Sequence, residues 1–222
     1  MAAFDLALEE GADGVELDVR LDRDGDVVVI HDPDLARVTG GRDTRRIEDL
    51  GRTELREVDL GASERVPRLT EVLRWARQRR ARVNIELKQD VSRRVLLAVR
   101  VARLVAAEPR AAERLILSSF DPRLVAAEAW LLPWVPVGWL VESGNVPGRS
   151  VPERLLRASA IHPRAVMVSA RSIRAWQSAR LPVNVWTVNE QDEAQRLDAL
   201  GVDTIISDEP GKILKALGPI AW

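Results

Sequence analysis

A parallel α/β barrel of the TIM-type (β/α)8 class, with its first strand missing, is the architecture this 222-residue sequence predicts. Three observations carry that expectation. Short β-type runs alternate with helical ones along most of the chain, the pattern of a mainly parallel sheet. Polar residues cluster at strand ends (Glu16 and Asp18, Glu86 and Lys88, Ser119, Thr187 and Asn189, Ser207 and Asp208), and a barrel gathers all such ends on one rim. No Gly-x-Gly-x-x-Gly or P-loop follows any strand, which removes support from the nucleotide-binding open sheets.

The elements follow in order. Met1 to Glu10 reads as a helix with Phe4, Ala7 and Leu8 on one face, ended by Gly11. Strands are expected at Gly14–Val19, Val83–Leu87, Arg114–Ser118, Val135–Leu140, Ala165–Val168, Val183–Thr187 and Thr204–Ser207. Helices are expected at Leu69–Arg80, Ser92–Ala107, Pro122–Leu131, Pro152–Ala158, Ala170–Ala179, Glu190–Leu200 and Pro210–Leu217. Asp121 before Pro122 is an N-cap with proline at the first helical position, Asn189 precedes an acidic first turn, and Gly201 closes the helix before it. A barrel that opens on a helix lacks strand one, and 222 residues is short of the typical length of about 250. The open edges of Gly14–Val19 and Thr204–Ser207 are then templates for edge-to-edge association.

Residues 1–222 are read as one domain, with residues 20–66 an excursion at the barrel mouth. A turn at 21–26 leads into a short strand, Val27–Ile30, that carries His31 at its end. Asp34–Leu60 is charged and irregular, and Gly144–Ser150 is a second loop on the rim.

Composition excludes several classes of function. The net charge of −1 gives no reason to expect nucleic acid. No apolar run reaches the roughly 20 residues of a membrane span, and no signal peptide is visible, so a cytoplasmic location is expected. Without cysteine there are no thiolate ligands, disulfides or cysteine nucleophiles.

Val15-Glu16-Leu17-Asp18-Val19 alternates as a strand does, so Glu16 and Asp18 project from one side, roughly 7 Å apart. Two carboxylates among Val and Leu repel each other and lose hydration unless a cation lies between them. The pair His31-Asp32 follows twelve residues on. His162, beside Pro163, reads as structural; Trp130, Trp134 and Trp139 surround a proline-rich turn and read as packing beneath a loop rather than as a lipid-facing lip.

The residues 11–19 (Gly-Ala-Asp-Gly-Val-Glu-Leu-Asp-Val), then Asp24-Gly25 and Val28-Val29-Ile30-His31-Asp32, resemble the signature of the glycerophosphodiester phosphodiesterases. Val66-Pro67-Arg68-Leu69-Thr70-Glu71, Asn84-Ile85-Glu86-Leu87-Lys88, Ser118-Ser119-Phe120-Asp121, Val185-Trp186-Thr187-Val188-Asn189 and the 201–210 run continue the match in order, to about Lys212. The resemblance implies a (β/α)8 barrel that hydrolyses glycerophosphodiesters to glycerol 3-phosphate and an alcohol, with a divalent metal, Ca2+ or Mg2+, and two histidines. It implies Glu16, Asp18 and Glu86 as metal ligands, His31 as one catalytic histidine, Lys88 facing the phosphate and Trp186 lining the glycerol side. Hard carboxylate oxygens suit these cations. The family also carries His-Arg-Gly and Glu-Asn-Thr ahead of the first helix, and the sequence begins after both. Weak activity or none is therefore the expectation for this chain. A non-catalytic metal- and phosphate-binding barrel, and another phospholipase-type phosphodiesterase on the same fold, are the rival readings.

Overall fold

A computed structural model describes residues 1–142 and 157–218. Helix α1 (Ala2–Glu9) leads into β1 (Gly14–Leu21), and β2 (Val27–Val29) folds back on it as an antiparallel partner. Next come α2 (Arg52–Glu57), α3 (Leu69–Arg79), β3 (Arg82–Leu87), α4 (Arg94–Ala106), α5 (Ala111–Arg114), β4 (Leu115–Ser119), α6 (Pro122–Leu131) and β5 (Val137–Val141). The last part holds β6 (Ala160–Pro163), α7 (Ala170–Ser178), β7 (Asn184–Val185), α8 (Gln191–Ala199), β8 (Thr204–Ile205) and α9 (Pro210–Leu217). The main sheet has the order β2-β1-β3-β4-β5-β6, parallel except for β2. Single bridges, Ile161 with Val183 and Arg164 with Trp186, carry it on to the parallel pair β7-β8.

The sheet curves as a barrel whose outer face is apolar. Leu17 and Val19 of β1, Val83, Ile85 and Leu87 of β3, and Leu117 of β4 join Leu69, Val72, Leu97 and Val101 of the covering helices in one buried cluster. A second cluster, with Ile161, Trp176, Val183, Val185 and Leu197, fills the β6–β8 side. Residues of opposite parity on β1 and β3 (Glu16, Asp18, Asn84, Glu86) face inward, because successive side chains alternate.

The helix starts are chemically determined. Asp121 accepts the Arg123 N–H at 2.9 Å with Pro122 at the first position of α6, and Ser169 accepts the Ser172 N–H at 3.2 Å to begin α7. Each supplies an acceptor for an amide that the helix leaves unbonded. Asn189 stands one residue before Glu190, the N-cap of α8, and does not itself cap the helix. Its Oδ1 instead accepts from the Asp208 N–H at 2.9 Å and the Ser207 hydroxyl at 3.1 Å, tying two rim loops together.

Several expectations need correction. Ala165–Val168 is not a strand: Ala165–Met167 forms a 3₁₀ turn, and the strand is Ala160–Pro163. A four-residue apolar run carries too little periodicity to identify a strand, and Val166 is 81% exposed. The excursion is more ordered than its charge suggested. It holds a 3₁₀ turn at Ile47–Asp49, helix α2, and a small core of Val28, Ile30, Leu35, Ile47, Leu50 and Leu55. The free edge of β1 is shorter than expected, since β2 pairs with Val19–Leu21 and the Ile30 N–H donates to the Asp18 carbonyl at 3.0 Å. Among the described residues no ladder joins β1 to β8. The helix ring does close there: the Gly211 N–H donates to Glu10 at 3.1 Å, and Leu214 packs on Gly11. Gly144–Ser150 lies outside the described residues, as does the helix at Pro152–Ala158 apart from its last two.

Candidate active site

Parallel pairing sets Asp18 of β1 directly beside Glu86 of β3, and Glu16 beside Asn84. One oxygen from each of Glu16, Asp18 and Glu86 falls within 4.8 Å of the others, which is the ligand set expected from the sequence. Lys88, two residues beyond Glu86 on the same inward side, places Nζ 3.1 Å from both Asp18 and Glu86. Three carboxyls and one ammonium leave an excess of negative charge in a partly buried space. Burial first, and then the neighbouring carboxylates Asp18 and Glu86, push Glu16 up to about 8. Burial, then Asp18, push Glu86 up to about 7 despite the ammonium of Lys88. Lys88 itself is held above its usual value by the two carboxylates it bridges, which outweigh its burial. A group of acids that resists losing its protons, and spans a space of this size, fits a divalent cation.

His31 stands at the mouth, its side chain 62% exposed, with Nδ1 2.6 Å from Asp32. Asp32 also takes Arg37 Nε at 2.5 Å, and these two partners hold its carboxyl below the usual range. With Nδ1–H donated to Asp32, Nε2 is the free basic nitrogen. Arg20 extends the alternation of Glu16 and Asp18. Buried beneath the loop, it donates Nε to the His31 carbonyl at 2.9 Å and pairs with Asp90. Sequence reasoning missed Arg20 and Arg37. Continuing the two-residue period of β1 finds the first, whereas nothing local marks the second.

Trp186 follows β7 on the same rim. Its indole N–H donates to the His162 carbonyl at 2.7 Å, and its ring meets that of Phe120 edge-on at 5.4 Å. Phe120 belongs to the Ser118-Ser119-Phe120-Asp121 motif, in which nothing local marks it as a partner of Trp186. His162, the other histidine of the sequence, is fully buried on β6, and burial drives it down to about 3. It is the structural residue expected and offers no second proton carrier beside His31. The tryptophan expectation fails for two of the three: Trp130 is 68% and Trp134 57% exposed, whereas Trp139 is half-buried against the core. Trp134 lines a hollow of about 470 Å³ with Pro136, Pro182 and Arg157, at the start of the strands and opposite the rim.

Carboxylates, a lysine and a histidine gathered where the strands end stand at the face on which barrel enzymes carry their active sites. The glycerophosphoryl diester phosphodiesterase family matches residues 1–212, and the chain belongs to that family of phosphoric diester hydrolases. A glycerophosphodiester phosphodiesterase of Caldanaerobacter subterraneus is 32% identical over 96% of this chain and 89% of its own length. A solved phosphodiesterase of Oleispira antarctica, in complex with the product sn-glycerol-3-phosphate, superposes with a TM-score of 0.86 at 26% identity, covering 97% of this chain and 89% of that one. A glycerophosphodiester phosphodiesterase of Agrobacterium tumefaciens gives 0.80 at 28% identity, over 98% and 92%. These neighbours identify the sheet as a TIM-type barrel. No described helix is long and apolar enough to cross a membrane.

Proposed function

We propose that this chain hydrolyses glycerophosphodiesters to glycerol 3-phosphate and an alcohol, with a Ca2+ or Mg2+ ion held by Glu16, Asp18 and Glu86. The observation that carries this reading is the convergence of those three carboxyls within 4.8 Å, beside a single lysine, in a member of this family. The cation, when bound, offsets charge on the phosphoryl oxygens and acidifies a coordinated hydroxyl. Lys88 turns from the carboxylates toward the phosphate and adds a fixed positive charge. His31, held by Asp32 in the tautomer with Nε2 free, takes or delivers a proton at that atom. Trp186 and Phe120 form the wall for the glycerol end. Residues 1–222 act as one domain, because the excursion supplies His31 and Asp32 to the rim.

A second reading, a barrel that binds metal and phosphate with little turnover, is favoured by the burial of His162. Among residues 1–222 that leaves His31 as the imidazole at the rim, and one positioned proton carrier is worth about 10²–10⁴-fold in rate. Incubation of the purified protein with glycerophosphocholine and either cation tests both readings. Release of glycerol 3-phosphate that stops with chelator, and with His31→Ala, supports the hydrolase. A melting temperature raised by calcium and by glycerol 3-phosphate, without release, supports the binder. If neither cation moves the melting temperature, and Glu86→Gln changes nothing, the metal assignment is wrong.

A further inference from the structure

His162 has no part in the proton chemistry above, yet the interior is built around it. The imidazole lies over Gly138 of β5. A Cβ at 138 would overlap its Nε2 and stand 2.6 Å from Cδ2 and Cε1. Gly138 has no left-handed backbone, so the ring, rather than conformational freedom, is what requires glycine there. On its other side, Nε2 lies 2.9 Å from the amide nitrogen of Asn184, itself buried on β7. The same residue's carbonyl receives the Trp186 indole N–H at 2.7 Å. Trp186, just past β7 and two residues from Asn184, keeps the strand's alternation, so the two side chains lie on the same inward side.

These two bonds sit where the sheet is weakest. The strands β6 and β7 meet only at single bridges, Ile161 with Val183 and Arg164 with Trp186, and β7 pairs with β8 over two residues. At Trp186 the backbone is bonded, its N–H to the Pro163 carbonyl and its carbonyl to the Ala165 N–H, which fixes the Cα but leaves the indole torsions to side-chain contacts. We infer that His162 is a positioning residue: its ring, locked between Gly138 and Asn184, sets the carbonyl that holds Trp186, and thereby places the wall for the glycerol end of the substrate. The inference rests on the proposed role of Trp186. Burial keeps the ring neutral, so it contributes geometry and no proton.

The test follows the Trp186 indole N–H by nuclear magnetic resonance, with its signal identified by loss in Trp186→Phe. Calorimetry with glycerol 3-phosphate in the presence of calcium gives the affinity. His162→Ala should shift the indole signal, speed its exchange with solvent, and weaken glycerol 3-phosphate about tenfold, the worth of one well-placed hydrogen bond. Trp186→Phe should weaken it similarly, and the double variant no further. The calcium-induced rise in melting temperature should remain, and His162→Gln, which keeps a partner for Asn184, should restore most of the affinity. Should His162→Ala fail to fold, Asn184→Ala cuts the ring's bond without removing the ring and is read in the same way. An indole signal that stays in place, or losses that multiply in the double variant, would overturn the inference. If the indole moves while the unaltered protein binds no glycerol 3-phosphate, the positioning stands and the proposed function falls.

Discussion

The two sides of the barrel rim hold their functional groups by different means. β1 and β3 run in register from Gly14–Arg82 to Val19–Leu87, and they carry the carboxylates; β7 and β8 share only Asn184–Thr204 and Val185–Ile205, next to Trp186. Carboxylates that repel one another stay together only if backbone hydrogen bonds fix their origins, since relaxing a strand by one residue would turn each to the other face. An aromatic pair such as Trp186 and Phe120 carries no such repulsion. It can be held by an indole hydrogen bond and an edge-on ring, as Trp186 is. The charged half therefore depends on the ladder, and the apolar half on side-chain contacts.

That contrast can be broken most sharply on the charged side. The double variant Glu16→Gln/Glu86→Gln should abolish the calcium-induced rise in melting temperature and lower glycerol 3-phosphate release by about 10²–10³-fold, the cost of losing preorganised charge stabilisation. Scanning calorimetry and a product assay read both effects. His31→Ala should lower release by about 10²-fold or more, and Asp32→Asn by less, because the imidazole survives with its tautomer unfixed.

The proton content of the cluster gives a third test. Folded Glu16 and Glu86 keep protons up to about 8 and 7, against ordinary values near 4.5. Between those limits the folded state binds more protons than the unfolded one, so metal-free stability must fall as the pH rises from about 4.5 toward 8. Melting curves across that range should show the decline. Saturating calcium should flatten or reverse it, and Glu16→Gln should lessen it.

A last effect belongs to neither side of the rim. Glu128 of α6 is buried with both oxygens unpartnered among the described residues, and burial alone raises it to about 8. Glu128→Gln should change little at pH 5, where the carboxyl is already neutral. At pH 9, where folding must either keep a proton on Glu128 or bury its charge, the substitution should raise the melting temperature, and by more than it does at pH 5. If that carboxylate matched the Glu16 cluster in sensitivity to calcium, the special character of the rim would be lost.

Much of this was legible in the sequence. Strand alternation put Glu16 and Asp18 on one side, and helix punctuation located Pro122–Leu131 and Pro210–Leu217 to the residue, because proline and the acidic or polar caps act within one turn. The β6 strand was misplaced, since its inward positions hold Ala160 and His162 and its outward ones end in Pro163, a pattern without apolar periodicity. The small core of the excursion was hidden for a similar reason. Val28, Leu35, Ile47 and Leu55 are spaced too irregularly to declare a shared face.

Local chemistry, then, determined the kind of elements, their order and the residue types able to hold a cation or move a proton, because alternation and capping depend on neighbours in the chain. Only the tertiary structure decided which of those residues meet. Glu86 reaches Asp18 through the register of β1 with β3, Arg37 reaches Asp32 across a loop, and Trp186 reaches the carbonyl of His162 between strands. Such contacts depend on how the sheet curves and how its interior fills, and packing of that kind leaves no local trace in the order of residues.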